Sequence, residues 1–358
     1  MKALIESLNS AFPERKESIQ ATLTAVVAKE HVVLYGPPGT GKSLLARTIA
    51  NALGKSYFEY LLTRFTEPSE LFGPIDPNAF REGKYRRVTA GKMSEAQVVF
   101  LDEIFKANSA ILNSMLTILN ERRYDAGGGP QRVPLMSMIA ASNEQPEGPE
   151  LAALYDRILV RLEVNYISDD EAFRGMLTSS TTIPTTPIDI VAEQDKATRV
   201  TLTPDTIQAI VDLRNACKKA AIQVSDRRWR QTLNLIKAYA HIDARTETAP
   251  EDLEILEHVL WDKPSDRVLA TKTVQSVISP ASATATEQLD AARDLLKSLV
   301  EGTGMSQLSA AVKDISEIQK RIAALPNNSK RVQSALDEVK SIKSEIAKKA
   351  MRSAGLDV

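Results

Sequence analysis

The string Gly36–Ser43 reads GPPGTGKS, and its residue types and spacing are those of a phosphate-binding loop. It follows a short apolar run, His31–Tyr35, and precedes a helix-forming stretch, Leu44–Leu53. Glycines allow successive backbone N–H groups to face one anion, Lys42 offers a cation to the β- and γ-phosphates, and Ser43 offers an oxygen to Mg²⁺. Because a strand and a helix flank the string where this chemistry requires them, a chance glycine–proline turn is the weaker interpretation.

A second apolar run, Val98–Leu101, ends in two acids, Asp102 and Glu103. Acids at the carboxyl end of a strand lie where ligands bind in open α/β sheets. We therefore expect Asp102 to belong to the Mg²⁺ shell and Glu103 to orient and deprotonate an attacking water. A surface turn has the same local pattern, so the hydrolytic interpretation depends on the phosphate-binding loop that precedes it.

Three further polar residues are candidates for the same chemistry. Asn143 ends the apolar run SMIAASN and is expected to position the water or contact the γ-phosphate, with a capping asparagine as the alternative. Arg157 is a candidate arginine finger, which a neighbouring subunit inserts to stabilise charge on the transferred phosphoryl group. A salt bridge between Arg157 and Asp156 is the alternative. Arg227, preferred to Arg228, begins a helix and is expected to reach the phosphates, unless it is an exposed surface charge.

Near-continuous apolar runs alternate with helical stretches, which predicts an α/β domain with a buried parallel sheet. The strand-like runs are Val32–Tyr35, Tyr57–Tyr60, Val98–Leu101, Met138–Ala141 and Ile158–Val164. Helices are expected at about 204–221, 226–243 and 250–260. We predict an α/β nucleotide-binding domain at 1–167, an all-α lid at 168–278 and a C-terminal helical region at 279–358.

The linking segments are also predicted from composition. Thr178–Pro187 has the composition of an exposed loop, and Ser279–Thr286 that of a short polar break. Beyond it, apolar residues recur at steps of three and four, interrupted by a turn at Pro326–Asn328. This spacing predicts an antiparallel helical hairpin or bundle whose apolar stripes serve packing.

The bulk composition excludes several classes of protein. The 358 residues carry a net charge of −1, which argues against wholesale nucleic-acid binding. The one cysteine, Cys217, excludes an internal disulfide and suits a reducing compartment. No apolar run is long enough to span a membrane, and the N-terminus lacks the apolar core of a signal peptide. These features predict a cytoplasmic protein.

The motifs together resemble those of AAA+ ATPases of the MoxR family, most closely the RavA branch. The matching strings include VLYGPPGTGKSLLAR, VVFLDEIFKANSAILNSMLTILNERRY, IAASNEQPE, ALYDRILVRL and VSDRRW. They occur in the family's order, in a resemblance that runs from residue 12 to about 240.

The resemblance implies a role for each candidate residue. Lys42 and Ser43 correspond to Walker A, Asp102 and Glu103 to Walker B, Asn143 to sensor 1, Arg157 to the arginine finger and Arg227 to sensor 2. The implied ligands are ATP or ADP with Mg²⁺, the metal being held by Ser43 and Asp102. The implied nucleotide contacts are Gly36, Pro37, Pro38, Gly39, Thr40, Gly41, Lys42, Ser43, Leu44 and Asp102.

The resemblance also implies two accessory segments. Arg64–Met93 is similar to the family's helix-2 insert, and Tyr85–Thr89 within it to part of a hairpin. Arg122–Pro134 is similar to the pre-sensor 1 hairpin, with its tip at Gly127–Gly129. Such loops contact clients in this superfamily, although a purely structural hairpin is the alternative. The extra domain that RavA proteins carry in their C-terminal helices is replaced here by the short segment Glu301–Met305.

The implied function is an ATP-hydrolysing homo-hexameric ring that remodels or activates a protein with a von Willebrand factor A (vWA) domain. Two other classes stay open at this point. One is a nucleic-acid-dependent motor, for which basic residues of the two accessory segments would line a pore. The other is a scaffold protein whose assembly is controlled by nucleotide binding. Neither a membrane span nor a metal-enzyme cluster is expected.

Overall fold

The predicted strands form one parallel sheet in a computed structural model, which describes residues 1–178, 188–299, 305–325 and 330–353. The strands are β1 Val32–Tyr35, β2 Tyr57–Leu61, β3 Val98–Asp102, β4 Arg123–Asp125, β5 Pro130–Arg132, β6 Ser137–Ser142 and β7 Val160–Glu163. All five runs predicted as strands are strands of this sheet, to within two residues at each end. The two short strands, β4 and β5, form a separate ribbon.

Helices account for most of the remaining described residues. From the N-terminus to the last strand they are α1 Lys2–Ala11, α2 Lys16–Ala28, α3 Lys42–Ala52, α4 Pro68–Phe72, α5 Pro77–Arg81, α6 Ser109–Glu121 and α7 Pro149–Tyr155. Beyond it they are α8 Asp170–Thr178, α9 Ile190–Thr198, α10 Pro204–Lys219, α11 Asp226–Ile242, α12 Arg267–Ile278, α13 Pro280–Ser298, α14 Met305–Ala323 and α15 Lys330–Ser353. The helix expected at about 250–260 is a 3₁₀ segment, Pro250–His258.

The strand order in the sheet is β2-β3-β6-β1-β7, and every pairing is parallel. β1 and β6 are buried along their whole length, and α2 and α3 pack against the sheet. Parallel strands need helical cover, which explains why their sequences read as apolar runs. The order brings the carboxyl ends of β1, β6 and β3 side by side at one edge.

The chain divides into two compact units. The first comprises Met1–Ile210 and Ala221–Ala270, so it holds the sheet together with α11 and the 3₁₀ segment. The second comprises Val211–Ala220 and Thr271–Val358. The three-part division predicted at residues 167 and 278 follows sequence composition, and it stays a prediction.

The second unit contains a bundle of α13, α14 and α15. Its core includes Ala292, Ile315, Val339 and Ile346, all buried. The predicted polar break at Ser279–Thr286 is wrong, because α13 begins at Pro280 and continues through this stretch. Proline is favourable in the first turn of a helix. The start of α13 packs through small side chains such as Ala285, which is fully buried, and therefore needs no large apolar residues.

Several predicted connections lie outside the described residues. One is the predicted loop Thr178–Pro187, of which only Thr178, the last residue of α8, is described. Another is the turn at Pro326–Asn328. The third is the segment Glu301–Met305, of which only Met305, the first residue of α14, is described. Among the described residues, no helix is long and apolar enough to cross a membrane.

The two accessory segments are in contact. β4 and β5 form the predicted hairpin around Gly127–Gly129. The predicted insert holds α4 and α5, and its expected hairpin at Tyr85–Thr89 is reduced to one bridge between Ile75 and Arg87. The backbone N–H of Arg87 donates to the carbonyl oxygen of Ala126 at 2.7 Å, which joins the insert to the tip of the β4–β5 hairpin.

A buried carboxyl group makes the stability of the first unit depend on pH. Glu30 lies between α2 and β1 with 7% of its surface exposed, and it accepts a hydrogen bond from Gln231 of α11 at 2.7 Å. Burial raises the pKa of Glu30 to about 7, although the charge of Arg122 opposes the shift. The folded protein therefore holds this proton up to a higher pH than the unfolded chain does.

We expect the free energy of unfolding to contain a term that falls as pH rises from about 5 to about 7, because the raised pKa favours the folded state only while Glu30 is protonated. Glu30→Gln keeps a hydrogen-bonding amide and cannot ionise. The free energy of unfolding of the variant should therefore rise relative to that of the wild type as pH increases. The full difference is about 1.4 kcal/mol for each unit by which the pKa values of Glu30 in the folded and unfolded states differ. Urea unfolding across this range measures the difference, with the exposed Glu121→Gln as control. A difference that is independent of pH would refute the assignment.

Candidate active site

The phosphate-binding loop has the backbone that its glycines permit. A Cβ on Gly36 would lie 2.1 Å from the carbonyl oxygen of Val164, so no side chain fits where β1 ends beside the chain that leaves β7. Gly39 and Gly41 have φ values of +80° and +82°, in the left-handed region that glycine adopts readily. Gly41 caps α3, whose amino end faces the loop. The loop can therefore present backbone N–H groups to an anion.

Lys42 is folded into this loop. Its ammonium donates to the carbonyl oxygens of Gly36 and Pro37, each at 2.8 Å, and only 8% of the residue is exposed. Burial lowers the pKa of Lys42, while the charges of Asp102 and Glu103 raise it. The cation thus lies at the centre of the loop, where phosphate oxygens would replace carbonyl oxygens as its acceptors.

Ser43 and Asp102 meet beside the loop. The Ser43 hydroxyl donates to Oδ2 of Asp102 at 3.4 Å, across the edge where β1 and β3 end. Hydroxyl and carboxylate oxygens are the donors that Mg²⁺ prefers, and Mg²⁺ usually takes only one or two protein ligands beside substrate phosphates and water. The pair fits a magnesium site in both donor type and position.

Glu103 has the strained backbone common at functional sites. Its φ of +54° is rare for a residue with a side chain, and its backbone N–H donates to Oδ1 of Asp102 at 3.0 Å. Its Oε2 is buried without a hydrogen bond and forms an ion pair with the ammonium of Lys106 at 3.4 Å. A buried carboxylate oxygen with unused acceptor capacity is suited to bind a water molecule and take its proton.

Asn143 follows β6, which lies between β1 and β3 in the sheet. It lines a cavity of about 390 Å³ together with Gly36 and Pro37 of the loop and Asn165. The structure thus brings Asn143 to the loop and to the edge that carries Asp102.

A larger cavity of about 540 Å³ opens on the other side of Gly39–Gly41. Its apolar lining comes from three separate stretches of the chain, represented by Phe12, Leu44 and Phe173. A flat heterocycle attached to phosphates at the loop would lie in such a cavity. Sequence reasoning identified the loop residues Gly39–Gly41 and Leu44 here but none of the rest of the apolar lining, because no local motif marks residues that tertiary packing assembles.

Glu14 fixes one wall of this larger cavity. Its carboxylate accepts backbone N–H bonds from Ser168 at 3.0 Å and from Asp169 at 2.7 Å, immediately before α8. These bonds lower the pKa of Glu14. No residue of α8 is buried, yet Phe173 and Met176 line the cavity, so α8 forms a thin cover held at its amino end.

Arg157 is not paired with its neighbour Asp156. Its guanidinium donates to the carbonyl oxygen of Ala153 at 2.6 Å, and its Nε is buried without a partner. Asp156 instead accepts from Ser225 at 2.9 Å and from Arg227 at 3.2 Å. Burial, and then the charge of Arg227, lowers the pKa of Arg157.

Arg227 and Arg228 differ sharply in environment. The Arg228 side chain is 5% exposed and pairs with Asp262 at 3.1 Å, whereas the Arg227 side chain is 45% exposed. Of the two, only Arg227 has a guanidinium that another molecule can reach. The preference for Arg227 over Arg228 as the phosphate-contacting residue stays a prediction.

Among the described residues, neither Arg157 nor Arg227 makes a hydrogen bond or ion pair with the phosphate-binding loop. Asp156 and Arg157 are on the connection that enters β7 at its amino end, whereas the loop leaves β1 at its carboxyl end. β1 and β7 are parallel neighbours, so these ends lie at opposite edges. The structure does not place Arg227 at the phosphate-binding loop of its own chain.

Arg161 holds the connection that carries Arg157. It is completely buried, donates to the carbonyl oxygens of Val259 at 2.9 Å and Trp261 at 2.8 Å, and lies over the ring of Tyr155. A buried guanidinium with this many partners fixes its surroundings. No local pattern in the sequence indicates this role for Arg161.

Comparison with known proteins agrees with this geometry. Residues 1–208 match the family described as the MoxR domain in MoxR–vWA–β-propeller ternary systems, and residues 205–274 match an AAA lid domain. Two uncharacterised proteins of Methanocaldococcus jannaschii are similar. One is 40% identical over 279 residues, which cover 76% of this chain and 73% of the relative. The other is 36% identical over 305 residues, which cover 84% and 80%.

Two more distant similarities involve proteins with a described role. Chaperone MoxR1 of Mycobacterium tuberculosis is 27% identical over 157 residues, which cover 43% of this chain and 41% of that protein. A crystal structure from Cytophaga hutchinsonii, described provisionally as that of an ATPase, superposes with a TM-score of 0.62 at 18% identity. It covers 77% of this chain and 92% of that one, and at this identity it shows the fold alone. With its α/β AAA+ fold and its family match over residues 1–208, the chain belongs to the MoxR family of AAA+ ATPases.

Proposed function

We propose that the protein hydrolyses ATP to ADP and phosphate. The observation that carries this proposal is the meeting of Ser43 and Asp102 beside the phosphate-binding loop, next to Glu103, whose buried Oε2 accepts no hydrogen bond. Membership of an ATPase family supports it independently. The larger cavity beside Gly39–Gly41 would take the base.

The chain's own residues have separate tasks in this reaction. Loop N–H groups and Lys42 hold the β- and γ-phosphates, while Ser43 and Asp102 would hold Mg²⁺. Bound Mg²⁺ neutralises phosphate charge. Glu103 accepts the proton of the attacking water, which Asn143 helps to orient.

Arg157 and Arg227 would act on the nucleotide of a neighbouring subunit. Neither makes a hydrogen bond or ion pair with the loop of its own chain among the described residues, and Arg227 is exposed. An active site divided in this way requires each subunit to contact the next head to tail, and such contacts form a ring when the rotation between subunits closes. We propose a homo-hexamer, the ring size that the family resemblance implies.

The proposed partner is a protein with a vWA domain, which the ring remodels or activates. The matched family is named for systems that combine MoxR with vWA and β-propeller components, and a similar protein is named a chaperone. Placement on the RavA branch stays a prediction from the motifs. The cytoplasm stays the proposed compartment, supported by the single cysteine, Cys217.

Steady-state ATP hydrolysis by the full chain, measured over a range of protein concentrations, tests this proposal. Turnover per subunit should require Mg²⁺ and should rise with concentration as shared sites assemble, and Lys42→Ala should abolish it. Turnover that Lys42→Ala leaves intact, or the absence of turnover in an assembled ring, would contradict the proposal.

A further inference from the structure

The hairpin β4–β5 carries two arginines for which the proposed phosphate chemistry has no use. Arg123 and Arg132 stand directly opposite each other in the antiparallel register, and both are exposed. Like charges at such positions repel each other. Within the described parts of the chain, neither guanidinium has an ion-pair partner. We call this pair the arginine clip.

The opposite face of the hairpin is anchored through one side chain, Tyr124. Side chains alternate along a strand, so Tyr124 and Gln131 lie on the face away from the clip. Tyr124 stacks on the buried ring of Phe72, with 5.0 Å between the ring centroids. The anchored face directs the clip toward solvent.

The nearby acid does not neutralise the clip. Asp125 shares its face, but the Asp125 carboxylate accepts the N–H groups of Gly127, Gly128 and Gly129 at 2.8, 3.3 and 3.2 Å. These bonds lower the pKa of Asp125 and engage its charge at the tip of the hairpin. The two guanidinium groups keep their full capacity for an external anion.

The base of the hairpin is held as firmly as its tip. Arg122 donates to the carbonyl oxygens of Lys29 at 2.7 Å and Leu119 at 3.1 Å. At the tip, the Arg87 backbone bonds to Ala126. The clip therefore stands on a preorganised frame, which reduces the ordering entropy lost on binding.

We propose that the clip binds carboxylate side chains of an acidic, extended segment of a polypeptide partner. Guanidinium groups pair with carboxylates through two parallel hydrogen bonds, which makes arginine well suited to this role. The inference deepens the proposed remodelling function and rests on it for the partner being a polypeptide. A ring repeats the clip in each subunit, so weak single contacts add up.

The charges around the clip favour a polypeptide over a nucleic acid. On the adjoining insert, Arg86 pairs with Asp76 at 2.9 Å and Lys84 with Glu82 at 3.0 Å. Nucleic-acid affinity grows with the number of phosphates neutralised. Arg87 and Lys92 are engaged by the carbonyl oxygens of Gly73 and Glu70. Two exposed arginines beside cations that are mostly engaged suit a discrete contact with acidic side chains better than a long phosphate track.

Fluorescence anisotropy with the full chain and a labelled 15-residue glutamate-rich peptide, without nucleotide, tests the inference. We expect salt-sensitive binding, weakened about tenfold or more in Arg123→Gln/Arg132→Gln, since charge-assisted hydrogen bonds are lost. Arg123→Lys/Arg132→Lys should retain part of the affinity. The control Arg214→Gln/Arg230→Gln removes the same charge from exposed positions elsewhere and should leave binding unchanged. Circular dichroism confirms that each variant is folded.

Failure of the wild type to bind the peptide, equal binding by the glutamine variant, or tighter binding of a single-stranded oligonucleotide of equal charge would overturn the inference. Basal ATP turnover of Arg123→Gln/Arg132→Gln should equal that of the wild type. If the wild type hydrolyses ATP but does not bind the peptide, the clip is refuted and the ATPase proposal is not. If the wild type binds the peptide through the clip but does not hydrolyse ATP, the ATPase proposal alone is refuted.

Discussion

Arg157→Ala should lower ATP turnover by a factor on the order of 10³ or more while ATP binding persists, because an arginine finger contributes about that much to phosphoryl transfer. In the free chain the Arg157 guanidinium makes a hydrogen bond to the Ala153 carbonyl oxygen and has no ion-pair partner within the described residues. The truncation therefore removes a cation from the proposed subunit interface without breaking a salt bridge. Steady-state turnover and equilibrium binding of a fluorescent ATP analogue measure the two effects separately.

Arg199→Ala is the matched control, since Arg199 is exposed and makes only a surface pair with Asp195 at 2.9 Å. Its turnover should equal that of the wild type. Size-exclusion chromatography of both variants with nucleotide shows whether assembly is intact. Full ATPase activity of an assembled Arg157→Ala ring would refute the assignment of Arg157 as the arginine finger.

Glu103→Gln should lower turnover by a factor of about 10²–10⁴, the usual contribution of a positioned general base. The amide keeps the size of the side chain but does not accept the proton of the attacking water. Lys42, Ser43 and Asp102 are untouched, so ATP should stay bound without being hydrolysed. Quenched-flow analysis of a single turnover, with retained nucleotide quantified, measures the block.

Glu121→Gln, at an exposed site at the end of α6, is the matched control and should hydrolyse ATP normally. The Glu103 variant also separates a motor from a nucleotide-gated scaffold. Full activation of the partner by Glu103→Gln would show that ATP binding suffices and that repeated turnover is not the working step. Undiminished turnover in this variant would exclude Glu103 as the base.

The sequence predicts the catalytic edge well because local patterns encode it. The phosphate-binding loop is one continuous string, and apolar runs ending in polar residues mark β3 and β6. Once the strands are parallel neighbours, Asp102 and Asn143 must lie beside the loop. These positions follow from strand period and order, and tertiary packing refines them only slightly.

Features made by contacts between distant segments are not predicted. The cavity lined by Phe12 and Phe173 combines the N-terminal stretch with α8. The place of Arg227 depends on α11 packing against α2, which no local pattern encodes. Pro280–Thr286 has too few large apolar residues to signal a helix, yet Ala285 is buried in the bundle.

The central claim is that each active site takes Lys42 and Glu103 from one chain and Arg157 from the next. Mixing the two inactive variants tests it directly. Where Glu103→Gln and Arg157→Ala subunits alternate in a ring, half of those interfaces combine an intact Glu103 with an intact Arg157 from the neighbour. Steady-state ATPase measured on mixtures across all ratios should pass through a maximum above either pure variant. Turnover that never exceeds that of the pure variants, although both assemble into shared rings, would contradict a divided site.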